Sequence, residues 1–269
     1  MRGKERALAF LNNQEMDKYP LYGDIEDLKI LRSLSCISKG DLRKSYIESC
    51  KSLGIDITRG YSACFEIERY DKTGLKGLKD DHEILSYFDS IKKDTEFREI
   101  QETVGEDIHN AGDDVLILPQ VKWSIFGDLV YVMGYEDFSM SLYREDVSTI
   151  DLVDIIFSHV LEDMSLLSSL DEVGSILYMD DIAYDDGLLY HPDSIKRYFT
   201  PYLEEMARIS HEMKLKLIFH SHGDVTSLLD DILDTGIDGF IPMDNRWDDV
   251  LKVLFPRNVL LIRSISDFR

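Results

Sequence analysis

Two histidines one residue apart, His220 and His222, close an apolar run in KLKLIFHSHGDV, residues 214–225. Residues i and i+2 of a strand point to the same side. Both imidazoles can therefore face one cavity, with Gly223 allowing a tight turn behind them. Neutral imidazole is a common zinc ligand, and a catalytic zinc takes three protein ligands and leaves a fourth position open. Asp180, Asp181 and Asp244 are the candidates for the third ligand, since each ends or follows another apolar run. The expected assignment is metal ligation by His220, His222 and Asp244, with Asp180 and Asp181 as acid–base groups. A purely structural alternative stands beside it. His220 would then be a satisfied core histidine, His222 a cap for the next helix, and the aspartates loop residues that hold local backbone groups.

The elements that must position these residues can be read from periodicity. A helix is expected over residues 4–13, then a short strand in DKYPLYGD, then helical patterning over 26–53 stopped by Gly54. IDITRG reads as a strand, ACFEIERYD as a half-exposed hairpin, residues 95–111 as a helix and DVLILPQV as a buried strand. Helices over 135–143 and 147–170 lead to the strand GSILYMDD. A helix started by Pro192 and resumed at Pro201 leads to the strand KLKLIFHSHG. The helix VTSLLDDILDTG, closed by Gly236, precedes the strand DGFIPMD; the helix RWDDVLKVLF precedes the last strand, NVLLIRSIS.

Short apolar strands alternating with helices imply a parallel sheet covered by helices. Seven strands are one short of a TIM-like (β/α)8 barrel, and the chain stops just after the seventh. The expectation is one barrel domain over 1–269, short of its last strand. An open edge invites pairing, so the missing strand would come from the hairpin region, from a lost segment or from a partner in a homodimer. Active sites in such barrels lie at the C-terminal strand ends. Here those ends carry Asp24, Arg59, Gln120, Asp180, Asp181, His220, His222, Asp244, and Arg263 or Ser264.

Composition narrows the function. A formal charge of −22 disfavours nucleic acid and anionic membranes. No apolar run approaches the roughly eighteen residues of a membrane span, and the charged N-terminus lacks the apolar core of a signal peptide. The three cysteines, Cys36, Cys50 and Cys64, match no zinc or redox spacing and read as buried thiols of a cytoplasmic protein. No glycine-rich phosphate loop and no nucleophile elbow is present.

The segments RALAFLNNQEMDKYP, LGIDITRG, MGYEDFSMSLYRED, MDDIAYDDGLLYHPDSIKRYFTPYLEEM, FHSHGDVTSLLDDILDTGIDGFIPMD and NVLLIRSIS together resemble the uroporphyrinogen decarboxylase superfamily, above all its cobamide-dependent methyltransferase branch. The resemblance implies a (β/α)8 barrel. It also implies transfer of a methyl group between a corrinoid protein and a small acceptor such as a thiol, with zinc binding that thiol. In the family the zinc is held by a His-x-Cys pair and a distant cysteine. His220 stands at the first of these positions and His222 at the second, while the chain ends before the strand that bears the third. The decarboxylases carry arginines after the first strand to grip substrate carboxylates; LYGDIEDLKIL is acidic there, which argues against decarboxylation. Two other readings remain: a divergent barrel that binds a small molecule or corrinoid protein without turnover, and a metal-dependent hydrolase. The hydrolase is disfavoured because its His-x-His pair belongs on the first strand.

Overall fold

The computed structural model describes residues 1–34, 41–65, 83, 84, 86, 93–242 and 260–261. Eight strands are present among them: β1 (Ile57–Thr58), β2 (Leu116–Ile117), β3 (Ser175–Met179), β4 (Ala183–Tyr184), β5 (Gly187–Leu188), β6 (Lys216–Ser221), β7 (Gly239–Pro242) and β8 (Leu260–Leu261). β4 and β5 form an antiparallel hairpin. The others pair in parallel, β1 with β2 and then β3–β6–β7–β8 in chain order. Two single-residue parallel bridges extend the series, Tyr22 to Ile57 before β1 and Gln120 to Leu177 between β2 and β3. Seven parallel segments thus follow one another in sequence order, with helices between them wherever the connecting residues are described, as the alternating pattern implied. Among the described residues no strand pairing joins the first segment to the last.

Both faces of these strands are buried, and alternate residues belong to different cores. Tyr22, Ile57, Leu116, Leu118, Leu177, Ile218 and Ile241 meet in one cluster, with Ala7, Phe10 and Leu11 of the helix Gly3–Leu11 packed against them. Ile176, Tyr178, Leu217, Phe219 and Phe240 point the other way, into the layer formed by the covering helices. Each large apolar side chain so buried contributes about 1.5–3 kcal/mol. A strand that must satisfy two cores reads as a continuous apolar run, and ILYM and LIF are such runs.

Local signals set the helix ends. Asp41 accepts from the amide of Lys44 at 3.1 Å and caps the helix Leu42–Leu53, while Gly54 (φ 74°) takes the left-handed conformation beyond it. Pro192 sits in the first turn of the helix Pro192–Tyr198, where its missing N–H costs nothing, and Pro201 does the same in Thr200–Glu212.

Several expectations are corrected. The patterning over 26–53 is not one helix: Leu28–Leu34 and Leu42–Leu53 are separate helices, the second begun by its own cap at Asp41. The hairpin expected in ACFEIERYD begins instead inside a helix, Tyr61–Phe65; residues 66–71 lie outside the described residues. A helix with no counterpart in the sequence reading, Ile125–Met133, follows β2. The helix expected at RWDDVLKVLF also lies outside the described residues. Among the described residues no helix is long and apolar enough to cross a membrane.

Candidate functional site

Beyond the inner core, the polar residues come next on the same strands. Tyr22 is followed two residues on by Asp24, Ile57 by Arg59, Leu118 by Gln120, Met179 by Asp181, and His220 by His222. A period of two carries an inner face from apolar to polar at the C-terminal ends. Contacts confirm that these residues adjoin one another. The His220 and His222 rings lie 4.8 Å apart, nearly perpendicular. Met179 is the register partner of His220, and Nη1 of Arg59 lies 3.7 Å from the Met179 sulfur.

Asp181, His220 and His222 form the sharpest group: one ligand atom from each lies within 4.8 Å of the others. The β4–β5 hairpin packs over the loop that follows. Tyr184 accepts from the amide of Asp224 at 2.9 Å, and a Cβ on Gly223 (φ 79°) would sit 2.5 Å from the Tyr184 backbone. Glycine is required there on both counts.

The two imidazoles differ electrically. His220 is buried, and its Nδ1 lies 2.7 Å from the carbonyl oxygen of Ile241. A carbonyl accepts only, so Nδ1 carries the hydrogen and Nε2 keeps its lone pair. Burial and the neighbouring His222 push its pKa down to about 4, so it stays neutral. His222 is half exposed and faces Asp181, which accepts from its Nδ1 and its backbone amide, both at 2.9 Å. The Asp181 hydrogen bond raises the pKa of His222 above its ordinary value. Burial works against charge on Asp181, but the His222 hydrogen bonds prevail and its pKa is lowered. The result is a neutral donor beside a carboxylate–imidazole pair.

Asp180 does something else. It is buried on the opposite face of the chain and accepts from the amides of Phe126 and Gly127 and from the Tyr178 hydroxyl, each at 2.8 Å. The Ile125 amide donates to the same hydroxyl at 3.0 Å. Asp180 and Tyr178 therefore satisfy the orphan amides that open the helix Ile125–Met133. Burial pushes the Asp180 carboxyl up to about 7, against the three donors that favour its charged form. Its expected role as an acid–base group meets a carboxylate turned away from the histidines. Asp244, Arg263 and Ser264 lie outside the described residues.

No cap role falls to His222. Asp224 accepts from the amide of Thr226 at the start of the next turn, and the histidine that caps a helix is His191, whose Nδ1 accepts from Asp193. Cys50 and Cys64 form no part of the histidine cluster. Burial pushes the Cys64 thiol up to about 12, and Cys50 still further above its ordinary value, so neither is a ready thiolate. A cavity of about 410 Å³ beside Met133, Glu136, Met140 and Arg144 shares no residue with the strand ends.

No family model matches the chain, and no curated protein does. The fold resembles that of a methyltransferase from Methanosarcina mazei. The two superpose with a TM-score of 0.60 at 14% identity, over 89% of this chain and 75% of the other. At that identity the likeness is one of fold.

Proposed function

We propose that this chain is a methyltransferase built on a TIM-like (β/α)8 barrel of the uroporphyrinogen decarboxylase type. It would move a methyl group between a corrinoid protein and a small acceptor, with a metal held by Asp181, His220 and His222. The observation that carries this reading is the convergence of those three donors at the C-terminal ends of parallel strands, in a fold that a methyltransferase shares.

The donor set suits zinc in type and number. His220 offers Nε2 with its other nitrogen already fixed by a carbonyl, the usual outer-shell support for a metal-bound imidazole. The three ligand atoms lie within 4.8 Å of one another, a spacing that an ion with ligands at about 2.0–2.1 Å could draw together. The Asp181 and His222 side chains are half exposed and so have room to adjust around an ion. Zinc, when bound, would supply Lewis acidity that lowers the pKa of an acceptor thiol. The chain's own part is to hold His220 in one tautomer and to release the proton that Asp181 and His222 share as they become ligands.

Replacement of the family's thiolate by His222 favours a second reading, a divergent barrel that binds its ligand without turnover. One set of measurements separates the two. Anaerobically purified protein should retain zinc. His220→Ala and Asp181→Ala should each weaken zinc binding by at least the tenfold to hundredfold seen for supporting residues of metal sites. Wild-type protein should demethylate methylcobalamin in the presence of a thiol. Zinc binding without demethylation would select the second reading; no zinc in the native protein and none taken up would overturn the metal site itself.

A further inference from the structure

A second polar group at these strand ends is a buried arginine held on three sides. Nε and the backbone amide of Arg59 donate to Asp24 at 2.7 and 2.9 Å, and Nη1 donates to Oε1 of Gln120 at 3.0 Å. Asp24 is itself fixed by the hydroxyls of Tyr22 and Thr58, at 2.6 and 2.7 Å. The side chains of Arg59 and Asp24 are 10% and 9% exposed. The last terminal nitrogen, Nη2, meets Glu26, whose side chain is 67% exposed.

The contrast between these partners is informative. Asp24 and Gln120 hold the guanidinium through Nε and Nη1 and leave Nη2 to Glu26, close enough to His222 for both charges to act on it. That nitrogen needs an acceptor, since buried donors without partners cost about 1–3 kcal/mol each. Glu26 supplies one, but as an exposed side chain it forms a pair worth only about 0–1 kcal/mol. An arriving carboxylate can replace it with little loss. In a chain of net charge −22, a small anion also needs a local cation to be retained at all.

We propose that Arg59 anchors the anionic group of a small carboxylate ligand, and that Glu26 occupies its place in the free protein. Glu26 is thus a built-in competitor. Under the proposed function the acceptor would be a thiol that also bears a carboxylate. The inference rests on that reading only for the thiol, because the anchor is defined by Asp24, Arg59, Gln120 and Glu26.

Propionate and propionamide, which have the same shape and differ in charge, test the anchor without metal or methyl transfer. Binding is followed by NMR shift changes in the full chain. Propionate should bind and propionamide should bind at least tenfold more weakly. Glu26→Gln should tighten propionate binding about 1.5- to 5-fold, the worth of an exposed ion pair, while the surface control Glu204→Gln leaves it unchanged. Arg59→Lys keeps the charge but loses the planar fork, and should weaken propionate binding about tenfold or more. Equal binding of the two ligands, or no effect of Glu26→Gln, would overturn the proposal. Propionate binding that responds to Glu26 in a protein without methyl transfer would keep the anchor and remove the proposed activity. Methyl transfer with no such response would do the reverse.

Discussion

Replacing Asp180 by alanine should unfold the protein more readily rather than simply silence it. The carboxylate receives two backbone amides and the Tyr178 hydroxyl in a fully buried setting. Alanine leaves all three donors without their acceptor. Each orphaned buried donor costs about 1–3 kcal/mol, partly relieved if water enters. A loss of about 3–5 kcal/mol follows, a fifth or more of the ~5–15 kcal/mol that holds an ordinary domain together. Asp181→Ala, at a half-exposed site, should cost no more than about 1 kcal/mol. Urea unfolding reads the difference directly. Trp123, buried and stacked on His159 just before the helix Ile125–Met133, gives a fluorescence probe close to the change. The midpoint should fall with the slope unchanged. The pH dependence has a definite sign. The folded pKa of Asp180 is raised to about 7, above the unfolded value near 4, so its contribution is full below about pH 4 and is lost as pH rises through about 7. Asp180→Asn should flatten that part of the profile. If Asp180→Ala were as stable as wild type yet lost the proposed methyl transfer, the helix-capping account would be wrong and a chemical role restored.

Two further outcomes follow from the same strand ends. In metal-free protein, NMR titration should place His222 above the ordinary histidine value and His220 near 4, with Asp181→Asn bringing His222 back down. The raised His222 contributes stability that is full below about pH 6.5 and lost above its folded value. The lowered Asp181 contributes above about pH 3.9 and loses it as pH falls further, so the pair is whole between those limits. Gly223→Ala should destabilise by about 2–4 kcal/mol, because a positive φ is joined by overlap with the Tyr184 backbone. Gly54→Ala, at φ 74° with open space around it, should cost only about 1 kcal/mol. Equal urea midpoints for the two glycine variants would refute the contact with the hairpin.

The parallel order of the strands was legible because strands buried on two faces leave unbroken apolar runs between polar turns. What was not legible has physical causes. The helix Ile125–Met133, IFGDLVYVM, is short and mostly apolar, so by its length and composition it reads as readily as a buried strand. Its amides are satisfied from β3, more than fifty positions away, by Asp180 and by the hydroxyl of Tyr178. The start of the helix Leu42–Leu53 is marked by the cap at Asp41, a local signal within a longer helical pattern. The role of Arg59 was hidden for a different reason. It was visible as a strand-end residue, but its partners, Asp24 and Glu26 on one side and Gln120 on the other, come from two separate stretches that only the fold brings to it.

The two aspartates at 180 and 181 show where the sequence carried more than a pair of acids. Alternation along a strand put His220 and His222 on one side, and the same rule separates the aspartates. Leu177 lies in the inner core, and Met179 packs against it, so Asp181 continues the inward face toward the histidines. Ile176 and Tyr178 lie in the outer core, so Asp180 continues the face that meets the helices. One slip of a single residue would exchange the two roles, because every side chain changes face with register. The register itself is held by the β3–β6 ladder, which sets Met179 opposite His220. A carboxylate for the histidines and a carboxylate for the helix are thus consecutive residues, and it is the buried pattern of the preceding four that decides which is which.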